Sequence, residues 1–314
     1  MSRWDVFDRD NVRDAEPRPP GESRPQEPNG TTSSVGRGPA ETSSTARAER
    51  PERQGSHSRE RTPDRRTQHR NGARVYSLRS SEIAAMRDIG TFRTVDVRDL
   101  ARFAYGGNEN RLKYDLESLR GQALVEEKTL YRAHRSARKL VTLTAEGERV
   151  VRRAGGLPEK QRLYHGFVKP KELDHDADLY KVYQKAAQEI REKGGKPTHV
   201  RLDFELKESL NRVKEAAGRL SEEERRRLLR AAAEEHGLMI DDTTIHLPDL
   251  QVEYETRDGA VERQNLELLS RNYREEGIRG KAAAGFKIYA RTGDTSRIRR
   301  ALRDTGMVGD VLSV

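Results

Sequence analysis

The 314-residue chain contains no cysteine, which excludes disulfides, thiolate metal sites and cysteine nucleophiles. Aromatic residues make up only 5% of it and hydrophobic residues 33%, whereas 36% of its residues are charged. Because this balance is poor in apolar surface for a globular protein, we expect part of the chain to be unfolded. No apolar run approaches the roughly 20 residues of a membrane span. The N-terminus lacks the apolar core of a signal peptide, so a cytoplasmic protein without a membrane partner is expected.

The first 74 residues have no leucine, isoleucine or lysine and hold eight of the twelve prolines. Such a segment buries too little apolar area to offset its conformational entropy, so residues 1–74 are predicted to be a disordered tail. Its arginines suit a nucleic-acid-binding arm, notably Arg59, Arg61, Arg65, Arg66 and Arg70. With 15 arginines against 12 acids, however, the mixed charge favours a solvated linker. The formal charge of the whole chain is +9, which favours a polyanionic partner.

Periodic patterns begin near Val75 and predict a folded domain over residues 75–155. Three amphipathic helices are indicated, the first capped at Ser80 and Ser81, the second capped at Thr94, and the third running from Glu109 to Gly121. Two strand-like runs, 124–128 and 139–143, then bracket a basic tip, and a helix capped by Thr144 closes the unit.

This order of elements, ending in the residues 141–147 (Val-Thr-Leu-Thr-Ala-Glu-Gly), resembles a winged helix-turn-helix domain. The resemblance implies that the third helix enters the major groove of double-stranded DNA while the wing reaches the backbone or the minor groove. The candidate DNA contacts on helix and wing are Asn110, Arg111, Lys113, Tyr114, Arg132, Arg135 and Arg138. The alternative is a winged helix that only holds another protein or the neighbouring domain.

Residues 160–314 predict a second folded region of mixed helix and strand. A helix over 172–193 is followed by a strand over 198–206 and by a charged helical hairpin over 207–236, broken near residues 219–221. A β-hairpin then pairs 250–255 with 260–269 across Asp258 and Gly259. If these strands pair, Asp249 and Glu267 converge, and two close carboxylates are what Mg²⁺ or Mn²⁺ needs for phosphodiester chemistry.

Taken together, residues 78–314 resemble the plasmid replication-relaxation proteins, which join a winged helix to a domain similar to PD-(D/E)xK endonucleases. The pieces that carry the resemblance are 174–176, 202–205, 247–249, 266–268, Lys281, 285–286 and Tyr289. The resemblance implies an α+β chain whose second domain has a mixed sheet, flanking helices, a helical insertion and its acids at one edge.

By the same resemblance, Asp249 and Glu267 are the two acids of the nuclease motif and the candidate metal ligands, and Glu205 is a supporting acid. The motif lysine is missing, because Leu269 stands two positions after Glu267; Lys281 is the candidate replacement. The departure favours a nuclease-like fold retained for binding. We therefore expect a DNA-binding protein of a plasmid or mobile element, acting in replication, mobilisation or their control. A metal-dependent endonuclease and a scaffold that recruits a relaxase or replication protein are the alternatives.

Overall fold

The computed structural model describes residues 65–132, 135–170, 172–241, 244–270, 273–303 and 312–314, except for the side chains of residues 132, 135 and 136. All of these residues belong to one compact unit, in which helices, antiparallel sheets and one mixed sheet confirm the α+β class. The predicted tail lies outside the described residues as far as residue 64. Its predicted end at residue 74 is wrong, because Thr67–Asn71 (β1) and Arg74–Leu78 (β2) form an antiparallel hairpin. Tyr76 and Leu78 are buried and anchor this hairpin.

The part of the chain that follows has four helices and a three-stranded sheet in the residues that the structure describes. Its elements are α1 (Ser80–Phe92), β3 (Val95–Asp96), α2 (Val97–Ala104), α3 (Glu109–Gly121), β4 (Val125–Arg132), β5 (Arg135–Leu143) and α4 (Ala145–Ala154). The strand order is β3-β5-β4, with antiparallel pairs throughout. Three helices and a sheet whose hairpin projects as a wing are the arrangement expected of a winged helix.

The helix starts in this part are fixed by capping, though not always by the predicted residue. The α2 cap is Asp96, whose carboxylate accepts a hydrogen bond from the backbone N–H of Arg98, in place of the predicted Thr94. Asn108 caps α3, and Thr144 caps α4 as predicted. The α1 cap is Arg79, whose backbone N–H donates to Glu82. Satisfying the exposed N–H groups of a first turn is what decides these boundaries.

Among its described residues, the second part of the chain has five helices, a short 3-10 turn (Ala217–Arg219) and seven strands. They are α5 (Leu173–Glu192), β6 (Lys196–Leu202), α6 (Asp203–Ala216), α7 (Glu222–Glu235), β7 (Ile240–Asp241), β8 (Thr244–Ile245), β9 (Leu250–Glu255), β10 (Val261–Leu269), α8 (Glu275–Ala283), β11 (Lys287–Ala290), α9 (Thr295–Arg303) and β12 (Leu312–Ser313). The main sheet has the order β12-β11-β10-β9-β6 and is mixed, because β10, β11 and β12 run parallel while β9 is antiparallel to both neighbours.

This sheet confirms the expected mixed sheet with flanking helices and a helical insertion. The insertion is the α6–α7 pair, whose break at 217–221 and capping box at Ser221 agree with the sequence. One prediction here is wrong: the strand ends at Leu202, and residues 203–206 begin α6. The reason is that Leu206 and Leu210, four residues apart, bury the same helical face.

The two parts share one hydrophobic core. Phe92 of α1 packs against Tyr180 of α5 with ring centroids 5.3 Å apart, and Phe103 of α2 meets the same ring at 6.0 Å. The Tyr180 hydroxyl donates to Asp88 of α1 at 2.7 Å. Helix α5 therefore packs on the helices α1 and α2 of the first part as well as on its own sheet. In the described part of the chain, no helix is both long and apolar enough to cross a membrane.

Candidate functional site

Helix α3 presents one polar and aromatic face to solvent. Leu112, Leu116 and Leu119 are buried as predicted, and this fixes which side of the helix faces outward. The exposed side carries four of the predicted DNA contacts, namely Asn110, Arg111, Lys113 and Tyr114. The ring of Tyr114 is 68% exposed, an unusual position for a large aromatic side chain without a partner surface.

The wing is the hairpin of β4 and β5, and its exposed strand residues include Tyr131, which is 82% exposed. Arg132 and Arg135 pair with each other at the end of this hairpin. The predicted DNA contacts of these two side chains lie outside the described residues.

The predicted role of Arg138 at an exposed wing position is wrong, because its side chain is buried and only 8% of the residue is exposed. Its guanidinium donates to Asp96 at 2.7 Å, to Asp178 at 3.0 Å and to Asp174 at 3.1 Å. Arg291 also donates to Asp178, at 2.7 Å. Arg138 thus joins the wing strand and the start of α2 to the first turns of α5, and it is unavailable to a phosphate.

Asp249 and Glu267 are brought together as predicted. The register of β9 and β10 places Leu250 opposite Leu266, so the residues just before and after them become neighbours. The backbone N–H of Asp249 donates to Glu267 at 3.2 Å, and the Asp249 carboxylate accepts from the N–H of Leu268 at 2.8 Å. Glu267 is fully buried, and it lies in the interior of the sheet because β10 is flanked by β9 and β11.

Lys281 of α8 reaches this pair, as expected of a replacement for the missing lysine. Its Nζ lies 3.1 Å from Glu267 Oε1 and also donates to the carbonyl of Leu247. Leu269, in the position of the motif lysine, is buried against the apolar side of α8 and α9. The ammonium group therefore enters from the helix and not from the strand.

Glu205 does not join the cluster. It sits in the first turn of α6, where its carboxylate accepts from the backbone N–H of Leu202 at 3.1 Å and so caps its own helix. Burial raises the pKa of Glu205, although a hydrogen bond with Tyr164 acts in the opposite direction. The predicted supporting acid is thus a helix cap, and that prediction is wrong.

Two residues outside the predicted set complete the cluster. His175 Nε2 lies 3.2 Å from Asp249 Oδ2, and the Tyr273 hydroxyl donates to Glu267 at 3.0 Å. The available sequence signal for His175 was its place in the Asp-His-Asp triplet at the start of α5, one of the pieces that carry the family resemblance. Tyr273 follows β10 closely, but nothing in its local pattern distinguishes it.

Burial and neighbouring charge move the pKa values of this cluster in different directions. Burial, together with the charge of Asp249, raises the pKa of Glu267 to about 7 in spite of the opposing effect of Lys281. Burial also raises the pKa of Asp249, but the charge and hydrogen bond of His175 lower it more. For His175, burial lowers the pKa, but Asp249 and Asp176 leave it well above 6.5. Each carboxylate thus has a cation of its own.

These residues do not fit a divalent metal. Asp249 and Glu267 already accept bonds from Lys281, Tyr273, His175 and two backbone N–H groups, which occupy the oxygens that a metal would need. Within the described residues, no group of three or more histidine, cysteine or acidic side chains is arranged to hold a metal ion. The expected Mg²⁺ or Mn²⁺ site on Asp249 and Glu267 finds no support in this arrangement.

No protein-family model matches the chain, and no curated protein matches it either. Among solved structures, the chain is similar to Bacillus subtilis PadR in complex with operator DNA, at 13% sequence identity. The match covers 49% of this chain and 92% of PadR, with a TM-score of 0.19. A similarity of this size carries no argument about function, so the residues themselves must supply it.

Proposed function

We propose that this protein binds double-stranded DNA through its winged helix, and that it serves a plasmid or other mobile element in replication, mobilisation or their control. The observation that carries the proposal is the exposed face of α3, which carries Asn110, Lys113 and Tyr114. An amide that pairs with base edges, a cation for phosphates and an aromatic ring are the groups a groove-binding helix uses. The genetic context rests on the sequence resemblance alone.

The DNA-binding part is tested by fluorescence anisotropy with labelled duplexes over a range of salt concentrations. Lys113→Ala should weaken binding to all sequences by a similar factor and lower the slope of log K against log salt by about 0.9, the value for one lost phosphate contact. Lys193→Ala is the matched control, because it removes an equally exposed lysine at the end of α5. Wild-type binding that is absent, or that does not weaken as salt rises, would contradict the proposal.

Recognition of the DNA sequence by α3 is tested separately with Asn110→Ala. A lost contact to a base edge costs about 1–3 kcal/mol at one position of the site, which is roughly 5- to 150-fold. We therefore expect duplexes selected from a random pool by the wild type to lose their preference at that position with the variant. An unchanged preference would assign α3 to positioning on the backbone alone.

The scaffold alternative uses the same α3 face to hold a relaxase or replication protein. Its distinguishing result is a wild-type protein that captures such a partner in a DNA-free mixture and loses it with Tyr114→Ala. Duplex DNA should then fail to compete for the α3 face. Competition by DNA would favour the proposed function.

A metal-dependent endonuclease is a second candidate because Asp249, Glu267 and Lys281 converge despite the missing motif lysine. We expect no cleavage, since His175 and Lys281 already neutralise the two carboxylates. The test incubates supercoiled plasmid with the wild type and with Asp249→Asn in Mg²⁺ and in Mn²⁺. Nicking by the wild type that the variant loses would establish the nuclease.

A further inference from the structure

The β1–β2 hairpin concentrates positive charge at the start of the described chain. Residues 65–78 contain four arginines and no acid, in a protein where 36% of residues are charged. Arg66 is held by an ion pair to a buried glutamate, and Arg74 lies close to another acid. Arg65 and Arg70 are exposed, and neither forms an ion pair with another residue that the structure describes. Arg70 of this hairpin and Arg65, two residues before its first strand, therefore remain for an external anion.

The strand register turns one face of the hairpin outward. Residues directly opposite each other in an antiparallel pair share a face, and His69 opposes the buried Tyr76. By alternation, Arg70 and its partner Val75 lie on the other face, where Val75 is 49% exposed. Arg70 is thus directed away from the core by the same pairing that anchors the hairpin.

The hairpin is attached to the far end of α3. Arg66 donates to the Ser118 hydroxyl at 2.9 Å, and the side chain of Gln122 accepts from the backbone N–H of Ser77 at 3.1 Å. Along α3, Ser118 and Gln122 continue the row begun by Arg111 and Tyr114, since residues three or four apart share a helix face. The hairpin therefore stands at the end of the row that includes the candidate DNA contacts.

The distance from Arg111 to the hairpin contact at Ser118 is similar to the width of the major groove. Seven residues separate Arg111 from Ser118, which is about 10 Å along a helix axis. The major groove is about 12 Å wide, so a helix lying in it ends close to a phosphate backbone. We propose that the β1–β2 hairpin is a second DNA-contacting element, in which Arg65 and Arg70 bind phosphates beside the groove that α3 enters. This inference rests on the proposed DNA-binding function.

The experiment compares the wild type with Arg65→Ala/Arg70→Ala by anisotropy on specific and random duplexes between 50 and 200 mM salt. Two lost phosphate contacts should lower the salt slope by about 1.8, so the affinity deficit of the variant should shrink about twelvefold across this range. The ratio between specific and random duplexes should not change, because phosphate contacts carry no sequence information. Arg65→Lys/Arg70→Lys should retain the wild-type slope, since it keeps both charges.

The matched control is Arg212→Ala/Arg226→Ala, which removes the same charge from exposed positions on α6 and α7. It should leave the salt slope unchanged, and both double variants should melt with the wild type. If the wild type binds duplex DNA and the hairpin variant has an unchanged slope, the hairpin inference is wrong while the proposed function stands. If the wild type does not bind duplex DNA, both are wrong.

Discussion

Arg138 offers the sharpest test of how the two parts of the molecule are joined. Only 8% of this residue is exposed. Its guanidinium forms ion pairs with Asp96, Asp174 and Asp178, and the side chains of Asp96 and Asp178 are also buried. Arg138→Met keeps much of the aliphatic volume but leaves these carboxylates without their main cation. Arg291 and Lys181, which also pair with Asp178, and Arg98, which pairs with Asp96, remain close by.

Removing one partner of a buried ion pair typically costs about 3–5 kcal/mol, because the remaining charge stays buried without compensation. Solvent screening takes little from this figure, since the Arg138 side chain is only 10% exposed. Such a loss is a large share of the roughly 5–15 kcal/mol that stabilises a typical protein. Because Arg98, Lys181 and Arg291 still compensate part of this charge, we expect urea unfolding at pH 7 to show Arg138→Met less stable by no more than about 3–5 kcal/mol.

The pH dependence follows from the carboxylates. Burial raises the pKa of Asp178, but Arg138 and Arg291 lower it below its usual value. A depressed folded pKa contributes stability above the unfolded pKa of about 3.9, and this contribution is lost as pH falls through the folded value. The wild type should therefore lose stability in acid faster than Arg138→Met, so the gap between them should narrow below pH 4.

Lys139→Met is the control, because Lys139 is the next residue on β5, is 52% exposed and forms a surface ion pair with Glu127. Exposed pairs contribute about 0–1 kcal/mol, so this variant should stay close to the wild type. An Arg138→Met protein within about 1 kcal/mol of the wild type at pH 7 would refute the interpretation of Arg138 as the link between wing and α5.

Three further predictions concern local packing and charge. Gly147→Ala should destabilise the fold by about 1–3 kcal/mol in urea unfolding, because its Cβ would lie 2.0 Å from the backbone carbonyl oxygen of Leu124. Gly121→Ala is the control and should be neutral or stabilising, because its Cβ would have no other atom within 4 Å. Leu78→Ala should cost about 2–5 kcal/mol if the hairpin is part of the fold, whereas the exposed Val75→Ala should cost less than about 0.5 kcal/mol. His175 has a raised folded pKa, so its stabilisation is full below pH 6.5 and is lost as pH rises through the folded value; unfolding at pH 6 and pH 9 should show His175→Gln more destabilised at the lower pH.

The helices of the winged part were predictable because their signals are local. Asn108 and Gly121 bracket α3, and the three leucines between them fix its buried face. The start of α4 is likewise fixed by one side chain, because the Thr144 hydroxyl accepts a hydrogen bond from the backbone N–H of Gly147. The presence of Gly147 three residues later now has a physical reason, since the close approach of α4 to Leu124 leaves no room for a Cβ.

The errors arose where the deciding contact comes from a distant element. Arg138 belongs to an acidic cluster contributed partly by α5, about 40 residues further along the chain. The only local sign that Arg138 faces inward was its place two residues before the buried Leu140, because residues two apart on a strand share a face. The convergence of Asp249 and Glu267 was predictable from one hairpin register. The pairing of Lys281 with Glu267 was expected only from the family resemblance, and that of His175 with Asp249 was not predicted, because His175 arrives on a separate helix.

The first turns of α5 connect the ion-pair cluster around Arg138 with the carboxylate cluster around Asp249. Asp174 and Asp178 bond Arg138 of the wing, while His175, next to Asp174 in sequence, pairs with Asp249. Adjacent helical residues point about 100° apart, so a single turn serves both neighbours. Because each of these carboxylates has a cationic partner, α5 holds strand β5 of the first part and strand β9 of the second part together through paired charges.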